Sequence, residues 1–380
     1  MRTALEIVFW VSAGLIVWTQ VGYAAALAAL VRVLPPRPPA AERPPLPWLS
    51  LIIAAHDEGS VIGATVRNAL ALDYPRERLE LIVACDGCGD DTALRARESG
   101  ADLVLELPRG GKIRAQDAAV ERARGEIVAF SDANALWEPD AARALVGAFA
   151  DPQVGYACGQ VRFVRAGEDA GNQEGVYWRY ELAVRALESR LGSITAGNGA
   201  IYATRRDAYI VVDPIMGHDL SLPFNMVKRG LRAVYVPGAR AREKMVPSLG
   251  GEFARKRRMM SHTWPILLRG GMLSPRGYRP GYALMLLSHR VLRYSTPGLH
   301  ALALAANIAL LAIGAGALYA VTLALQLALL LAAALAGVLR ARPLLLARYY
   351  VLATASPAAG LWDWLRHGTP ASWDAAEGTR

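Results

Sequence analysis

Three short apolar runs each end on an acidic residue, and this alternation limits what the chain can fold into. Leu51-Ile52-Ile53-Ala54-Ala55 leads into His56-Asp57-Glu58, and Leu81-Ile82-Val83-Ala84 leads into Cys85-Asp86-Gly87. Ile127-Val128-Ala129-Phe130 leads into Ser131-Asp132-Ala133-Asn134. Each run is followed by a segment of helical character. Short apolar runs alternating with helices predict an α/β fold whose doubly wound, mostly parallel sheet is buried on both faces. Such sheets bind ligands beyond the carboxyl ends of their strands, so the three acidic ends should converge on one crevice. An unpaired carboxylate is too costly to bury, and the crevice is expected to be wet, cation-loaded or both.

The apolar residues are unevenly spread over the 380 residues. From Leu5 to Val31 the only strongly polar residues are Glu6, at the very start, and Gln20, and about 20 apolar residues suffice to cross a bilayer. A signal peptide is the alternative, but the run is too long for its apolar core, and the small residues from Ala24 to Ala29 lead into Arg32. Residues 1–33 are therefore read as a retained transmembrane helix. A second apolar block, Pro297 to Leu339, is interrupted mainly by Asn307 and Gln326 and has the length of a transmembrane hairpin (297–339), with Gly314-Ala315-Gly316 at its turn. Arg32, Arg37 and Arg43 follow the first span and Arg340, Arg342 and Arg348 follow the hairpin. This bias predicts a multi-pass protein of a bacterial-type inner membrane with residues 32 to 296 in the cytoplasm. In the last segment, 340–380, the apolar stretch Leu344 to Leu365 carries Pro357 midway, which leaves spanning, re-entrant and interfacial placements open.

The net charge of +9 suits a protein facing anionic membrane lipids. Nucleic acid is the other partner of basic chains, but no helix-turn-helix, zinc-finger or aromatic RNA-binding pattern is present, so none is expected. Three cysteines in a cytoplasmic domain argue against a disulfide framework. Residues 34–48 form a proline-rich linker, and 49–248 read as one α/β domain with further strands at Leu103–Leu107, Val154–Cys158, Val161–Val164 and Ala233–Val236. A long helix is expected at Gln173–Leu191. Region 249–296 holds a basic helix, Gly250–Leu268, and an amphipathic one, Leu284–Tyr294, whose Arg290 and Arg293 would lie at the membrane interface.

These pieces, in this order, resemble the membrane-embedded branch of the family-2 glycosyltransferases, which includes cellulose, hyaluronan and poly-N-acetylglucosamine synthases. The resemblance extends from the first span to Trp373. It implies a Rossmann-like GT-A catalytic domain, a UDP-sugar donor, a Mg²⁺ or Mn²⁺ cofactor, and inversion at the anomeric carbon. It assigns Asp86 to the nucleotide base and Ala55, His56, Asp57 and Glu58 to the same pocket. Asp132 matches the first carboxylate of the family's metal-binding Asp-x-Asp; Asn134 replaces the second and brings no charge, so metal affinity should fall. Lys112, in Gly110-Gly111-Lys112, is placed near the nucleotide. Asp219 stands where the family carries the base that deprotonates the acceptor, and His218 beside it would tune or replace that base in a wet site.

Arg255-Lys256-Arg257-Arg258-Met259 lies where processive synthases carry Gln-x-x-Arg-Trp, so Arg255 and Arg258 would face the departing UDP. Met259 in place of tryptophan removes a stacking platform for the acceptor. Gly197, Asn198 and Gly199 resemble the family's loop beneath the acceptor. Trp178 on the preceding helix is a candidate to stack on a sugar, and Glu181 and Glu188 share one face of that helix. Three alternatives stay open: Asp132 and Asn134 as helix caps, Asp219 as a helix N-cap, and Arg255 to Arg258 as a lipid-facing charge run. Cys85-Asp86-Gly87-Cys88 has too few ligands for a zinc site, and Cys88 is read as a replacement for serine.

The acceptor is a growing β-linked glycan or a lipid-linked acceptor. Few apolar segments are available for a translocation channel, and homo-oligomerisation would supply the missing wall. A single-addition glycolipid synthase and an inactive GT-A membrane scaffold are the competing readings.

Overall fold

The computed structural model describes residues 1–34, 45–164, 173–244, 249–339 and 341–371. Most of the linker expected at 34–48 lies outside the described residues, as do Arg37, Arg43, Arg340 and Trp373. Strands β1 (Leu49–Ala55), β2 (Leu79–Asp86), β3 (Leu103–Leu107) and β4 (Ile127–Asp132) run parallel in the spatial order β3-β2-β1-β4. Their side chains alternate between two cores. Leu51 and Ile53 join Leu81 and Val83 on one face, with Ile62 and Val66 of α2 (Gly59–Leu70) and Ala96 of α3 (Thr92–Glu98). Ile52 joins Ile82 and Phe130 on the other face, with Ala115 and Ala119 of α4 (Lys112–Arg122). Burial on both faces is why these strands are continuous apolar runs.

Beyond β4 the sheet turns mixed. β7 (Ile201–Arg205) is antiparallel both to β4 and to β6 (Val154–Val164). β8 (Arg232–Lys244) runs parallel to β6, and β5 (Leu136–Trp137) closes the edge antiparallel to β8. Two expected boundaries need correction. The runs Val154–Cys158 and Val161–Val164 form one strand, bent where its register against β8 shifts between Cys158 and Gln160. A Cβ at Gly159 would collide there with the Ala239 carbonyl. The strand expected at Ala233–Val236 continues to Lys244, because Arg240 and Arg242 alternate with the fully buried Ala239 and Ala241 and hide its apolar face.

Long helices α6 (Gln173–Leu191), α7 (His218–Lys228) and α8 (Leu249–Leu268) follow the sheet strands. Among the described residues, three helices are long and apolar enough to cross a membrane: α1 (Arg2–Val33), α11 (Ala317–Leu335) and α12 (Arg342–His367). A fourth candidate is the pair α9 (Pro280–Tyr294) and α10 (Thr296–Ala312), bent by 64° at their junction. α10 and α11 form the expected hairpin, with Gly314 and Gly316 in left-handed backbone at the turn (φ 69° and 118°). Asn307 and Gln326, which interrupt the apolar run, hydrogen-bond to each other across it. The segment left open at 344–365 is one unbroken helix through Pro357. It packs along α8, where Trp264 Nε1 donates to the Pro357 carbonyl at 2.8 Å. Past α12, Thr369 Oγ1 donates to the Ser261 carbonyl at 2.8 Å, and Ala371 lies against Gly111 so closely that a Cβ there would strike its carbonyl.

The amphipathic reading of Leu284–Tyr294 is corrected. A π-turn at Leu287–Val291 buries Ser288, His289 and Arg290 against α6. His289 Nδ1 donates to Glu188 Oε1 at 2.7 Å, and Tyr23 Oη of α1 donates to the same oxygen at 2.7 Å. The Thr195 N–H donates to Glu188 Oε2 at 2.9 Å, Arg290 Nε donates to Thr195 Oγ1 at 3.0 Å, and Arg293 pairs with Glu181. Glu181 and Glu188 thus tie α6 to the apolar helices. Glu188→Ala should leave His289 and Arg290 buried without their counter-charge and cost about 3–5 kcal/mol. A lowered thermal midpoint of the detergent-solubilised chain, with a smaller drop for Glu188→Gln, is the expected measurement.

Candidate active site

The strand ends organise the crevice before any ligand does. Asp86, 1% exposed at the end of β2, accepts hydrogen bonds from the Gly110 and Gly111 N–H groups at 2.6 and 3.0 Å. It thereby shapes the turn that starts α4. His56 Nδ1 donates to the Asp86 carbonyl at 2.7 Å, and Asp57, in left-handed backbone (φ 51°), accepts from the Gly89 N–H at 2.7 Å. Lys112, the first residue of α4, reaches across to pair with Asp132 and donates to the Gly199 carbonyl at 3.2 Å. Asp132 closes β4 and Asn134 leads into β5, not into a helix; the next helix, Ala141–Gly147, is entered through Asp140. The capping alternative for this pair is therefore excluded.

Asp219 lies in the first turn of α7, whose N-cap is Gly217, so it is not a cap either. Its carbonyl accepts from the Gly197 N–H at 2.7 Å. Asn198 stiffens the same loop, donating from Nδ2 to the Gly159 carbonyl at 2.7 Å and accepting from the Ala200 and Ile201 N–H groups at 3.1 and 2.9 Å. A Cβ on Gly197 would run into the Tyr156 hydroxyl. Arg255, Arg258 and Met259 of α8 line the same cavity as these groups, whereas Arg257 binds Asp363 of α12 at 2.6 Å.

A cavity of about 860 Å³ joins these residues. Its lining includes Glu58, Lys112, Asp132, Asn134, Trp178, Gly197, Asn198, Gly199, Asp219, Arg255, Arg258 and Met259. Ala55, His56, Asp57 and Asp86 sit at the adjoining strand ends, outside that lining. Trp178 is tethered by its Nε1 to the Val161 carbonyl at 3.0 Å and packs edge-on against Phe163. At its far end the cavity reaches Gln20, Thr296, Tyr350 and Thr354 of the apolar helices.

The model of the glycosyltransferase-like family 2 matches residues 44–261, more than half of the chain. The chain belongs to that family. A poly-β-1,6-N-acetyl-D-glucosamine synthase of Staphylococcus aureus is 24% identical over 251 residues, 63% of this chain and 60% of the relative. An N-acetylglucosaminyltransferase of Rhizobium meliloti is 27% identical over 219 residues, 52% of this chain and 51% of the relative. The chain thus spans between half and two thirds of these relatives. A mannosyltransferase of Pyrobaculum calidifontis, solved with GDP-mannose and Mn²⁺, superposes with a TM-score of 0.70 over 96% of this chain and 99% of its own, at 22% identity. The likeness is one of fold: a GT-A domain together with its apolar helices.

The expectation for His218 is overturned. The ring is 2% exposed among Phe130, Tyr202 and Tyr209, with Nδ1 2.8 Å from the Tyr202 hydroxyl. Burial, with Lys112 adding to it, pushes its pKa down to about 3, so the imidazole is neutral and cannot replace Asp219 as a charge-bearing partner in a wet site. Cys85 is buried and Cys88 half-buried; both are free thiols, and the hydrogen bond from Cys85 holds Cys88 below the usual thiol range.

Sequence reasoning missed two residues of the lining. Arg185 lies on α6 between Glu181 and Glu188, at helical spacing. Glu243 is on β8, and the alternation Ala239, Ala241, Glu243 was the signal that it faces inward. Its Oε1 is buried without a hydrogen bond. Burial, followed by the nearby Asp132, pushes this carboxyl up to about 7 against the pull of Lys112 and Arg255. Asp132, Asn134 and Glu243 offer to one cavity the oxygen donors that a hard divalent cation takes, and the Glu243 Oε1 makes no hydrogen bond.

Because His218 is held neutral in the fold and ionises near 6.5 when unfolded, its contribution is fully present above pH 6.5. It is lost as the pH falls toward 3, with a slope of about 1.4 kcal/mol per pH unit. Thermal or urea unfolding of the detergent-solubilised chain between pH 7.5 and 5 should therefore steepen with acid more than in His218→Gln.

Proposed function

We propose that the protein transfers a sugar, with inversion, from a UDP-sugar to a hydroxyl of a membrane-associated acceptor. The observation that carries this reading is the cavity in which the stiff Gly197–Gly199 loop holds Lys112 with Asp132 at one end and Asp219 at the other. A basic group beside one carboxylate suits a departing diphosphate, while a second carboxylate a short loop away suits an attacking hydroxyl. The relatives' names, a glycan synthase and an N-acetylglucosaminyltransferase, support the same reaction class.

In this mechanism the donor's diphosphate lies against Lys112, Arg255 and Arg258, whose charges meet the negative charge that builds as UDP departs. Asp219 accepts the acceptor hydroxyl's proton as its oxygen bonds to the anomeric carbon and the bond from that carbon to the diphosphate breaks. The N-terminus of α7 favours the carboxylate charge needed for that role. The Gly197–Gly199 loop, fixed by Asn198 and Asp219, sets the floor on which the acceptor rests, and Trp178 offers a ring face beside it. A divalent cation, Mg²⁺ or Mn²⁺, held by Asp132 with Asn134 and Glu243, would neutralise charge on the diphosphate.

UDP release from UDP-glucose, UDP-N-acetylglucosamine and UDP-galactose, with Mg²⁺ or Mn²⁺, tests the proposal in the full chain. Asp219→Asn should lower the rate by about 10²- to 10⁴-fold while UDP still binds. Equal background release from wild type and variant with every donor would favour an inactive scaffold instead. Asn134→Asp restores the charge that the Asp-x-Asp pattern lacks and should lower the Mn²⁺ concentration for half-maximal activity about ten-fold. Labelled product, resolved by chain length and by lipid attachment, separates glycan extension from single addition.

A further inference from the structure

Arg185 is 4% exposed in the cavity wall, and its Nη2 donates to the Gly197 carbonyl at 2.9 Å. Its Nε and Nη1 are buried and make no hydrogen bond. The faces of Trp178 and Tyr235 lie 5.9 and 5.8 Å from the guanidinium carbon. Such stacking holds the group but leaves its in-plane N–H donors unused. A guanidinium cannot shed its proton, and a buried charge without a counter-ion is unfavourable, so this one calls for an anion.

The Gly197–Gly199 loop locates it. Gly199 carries the Lys112 and Asp132 end, whereas Gly197 bonds both Arg185 and Asp219. On the reading of Asp219 as the base, Arg185 is therefore on the acceptor side. The cavity continues past Leu346, Tyr350 and Ala353 of α12, a helix apolar and long enough to cross a bilayer.

We propose that Arg185 is an anion subsite that holds a phosphate ester of a lipid-borne acceptor, leaving the acceptor's hydroxyl for Asp219. Guanidinium N–H groups match phosphate oxygens, and the Nε and Nη1 donors of this one are unused. This rests on the transferase reading for its acceptor side, but the binding itself is measurable without turnover.

Calorimetric titration of the detergent-solubilised full chain, with UDP and Mn²⁺ present, compares geranyl phosphate, geraniol and glycerol 3-phosphate. Geranyl phosphate should bind, and Arg185→Gln should weaken it about 10- to 100-fold, with Arg185→Lys between the two. UDP affinity within about two-fold of wild type reports an intact fold and donor corner, and if the glutamine variant fails that control the lysine variant carries the comparison. Unchanged geranyl phosphate affinity overturns the subsite, as does an equal loss of UDP affinity in the lysine variant, which would assign Arg185 to the donor. Equally tight geraniol overturns the phosphate, and equally tight glycerol 3-phosphate overturns the membrane source. Absence of UDP release with every donor would sink the transferase reading but leave these affinities to be read on their own.

Discussion

Glu188 is wholly buried where the catalytic sheet meets the membrane helices, and its charge is satisfied by groups from distant parts of the chain. Tyr23 comes from the first helix, Thr195 from the loop before Asn198, and His289 from the π-turn of α9. Burial alone would push the carboxyl up; His289 and then Arg290 more than offset it and hold it down. Each of these groups would be costly to leave alone, so the assembly resists partial disruption. The same α6 that carries Glu188 on its membrane side carries Arg185 and Trp178 into the cavity. The position of that cavity wall thus depends on a charge that never meets water.

Much of the catalytic half was legible because its signals are local. β1, β2 and β4 are apolar runs with acidic ends, and both ends of Gln173–Leu191 agree with the helix observed. What escaped depends on contacts between segments far apart in sequence. Arg290 and Arg293 read as the polar face of an interfacial helix until Glu188 and Glu181, over a hundred residues earlier, are seen to lie against them. His218 reads as a wet neighbour of Asp219 because nothing next to it in the chain announces Phe130 or Tyr202. β8 was cut short because arginines at alternate positions outweigh alanines in any apolar count, although the alanines face the core.

The charged groups of the crevice come from segments far apart in sequence. Asn134 leaves Asp132 as the sole carboxylate of its pair, and Glu243 lines the same cavity from β8, three strands along the sheet from β4, with an Oε1 that makes no hydrogen bond. Lys112 stands between the two demands, paired with Asp132 and tied to the Gly199 carbonyl. Electrostatic balance here is distributed over two strands, a helix and the loops between them, which a linear motif cannot convey.

The contact between Ala371 and Gly111 bears on how the protein is made. Gly111 helps to shape the turn around Asp86, and the stretch that covers it follows α12, the last helix of the described chain. During synthesis the sheet and its crevice emerge well before that cover. That corner of the crevice therefore stays open on one side until α12 has been inserted and seated along α8, so completion of the crevice is coupled to completion of membrane assembly.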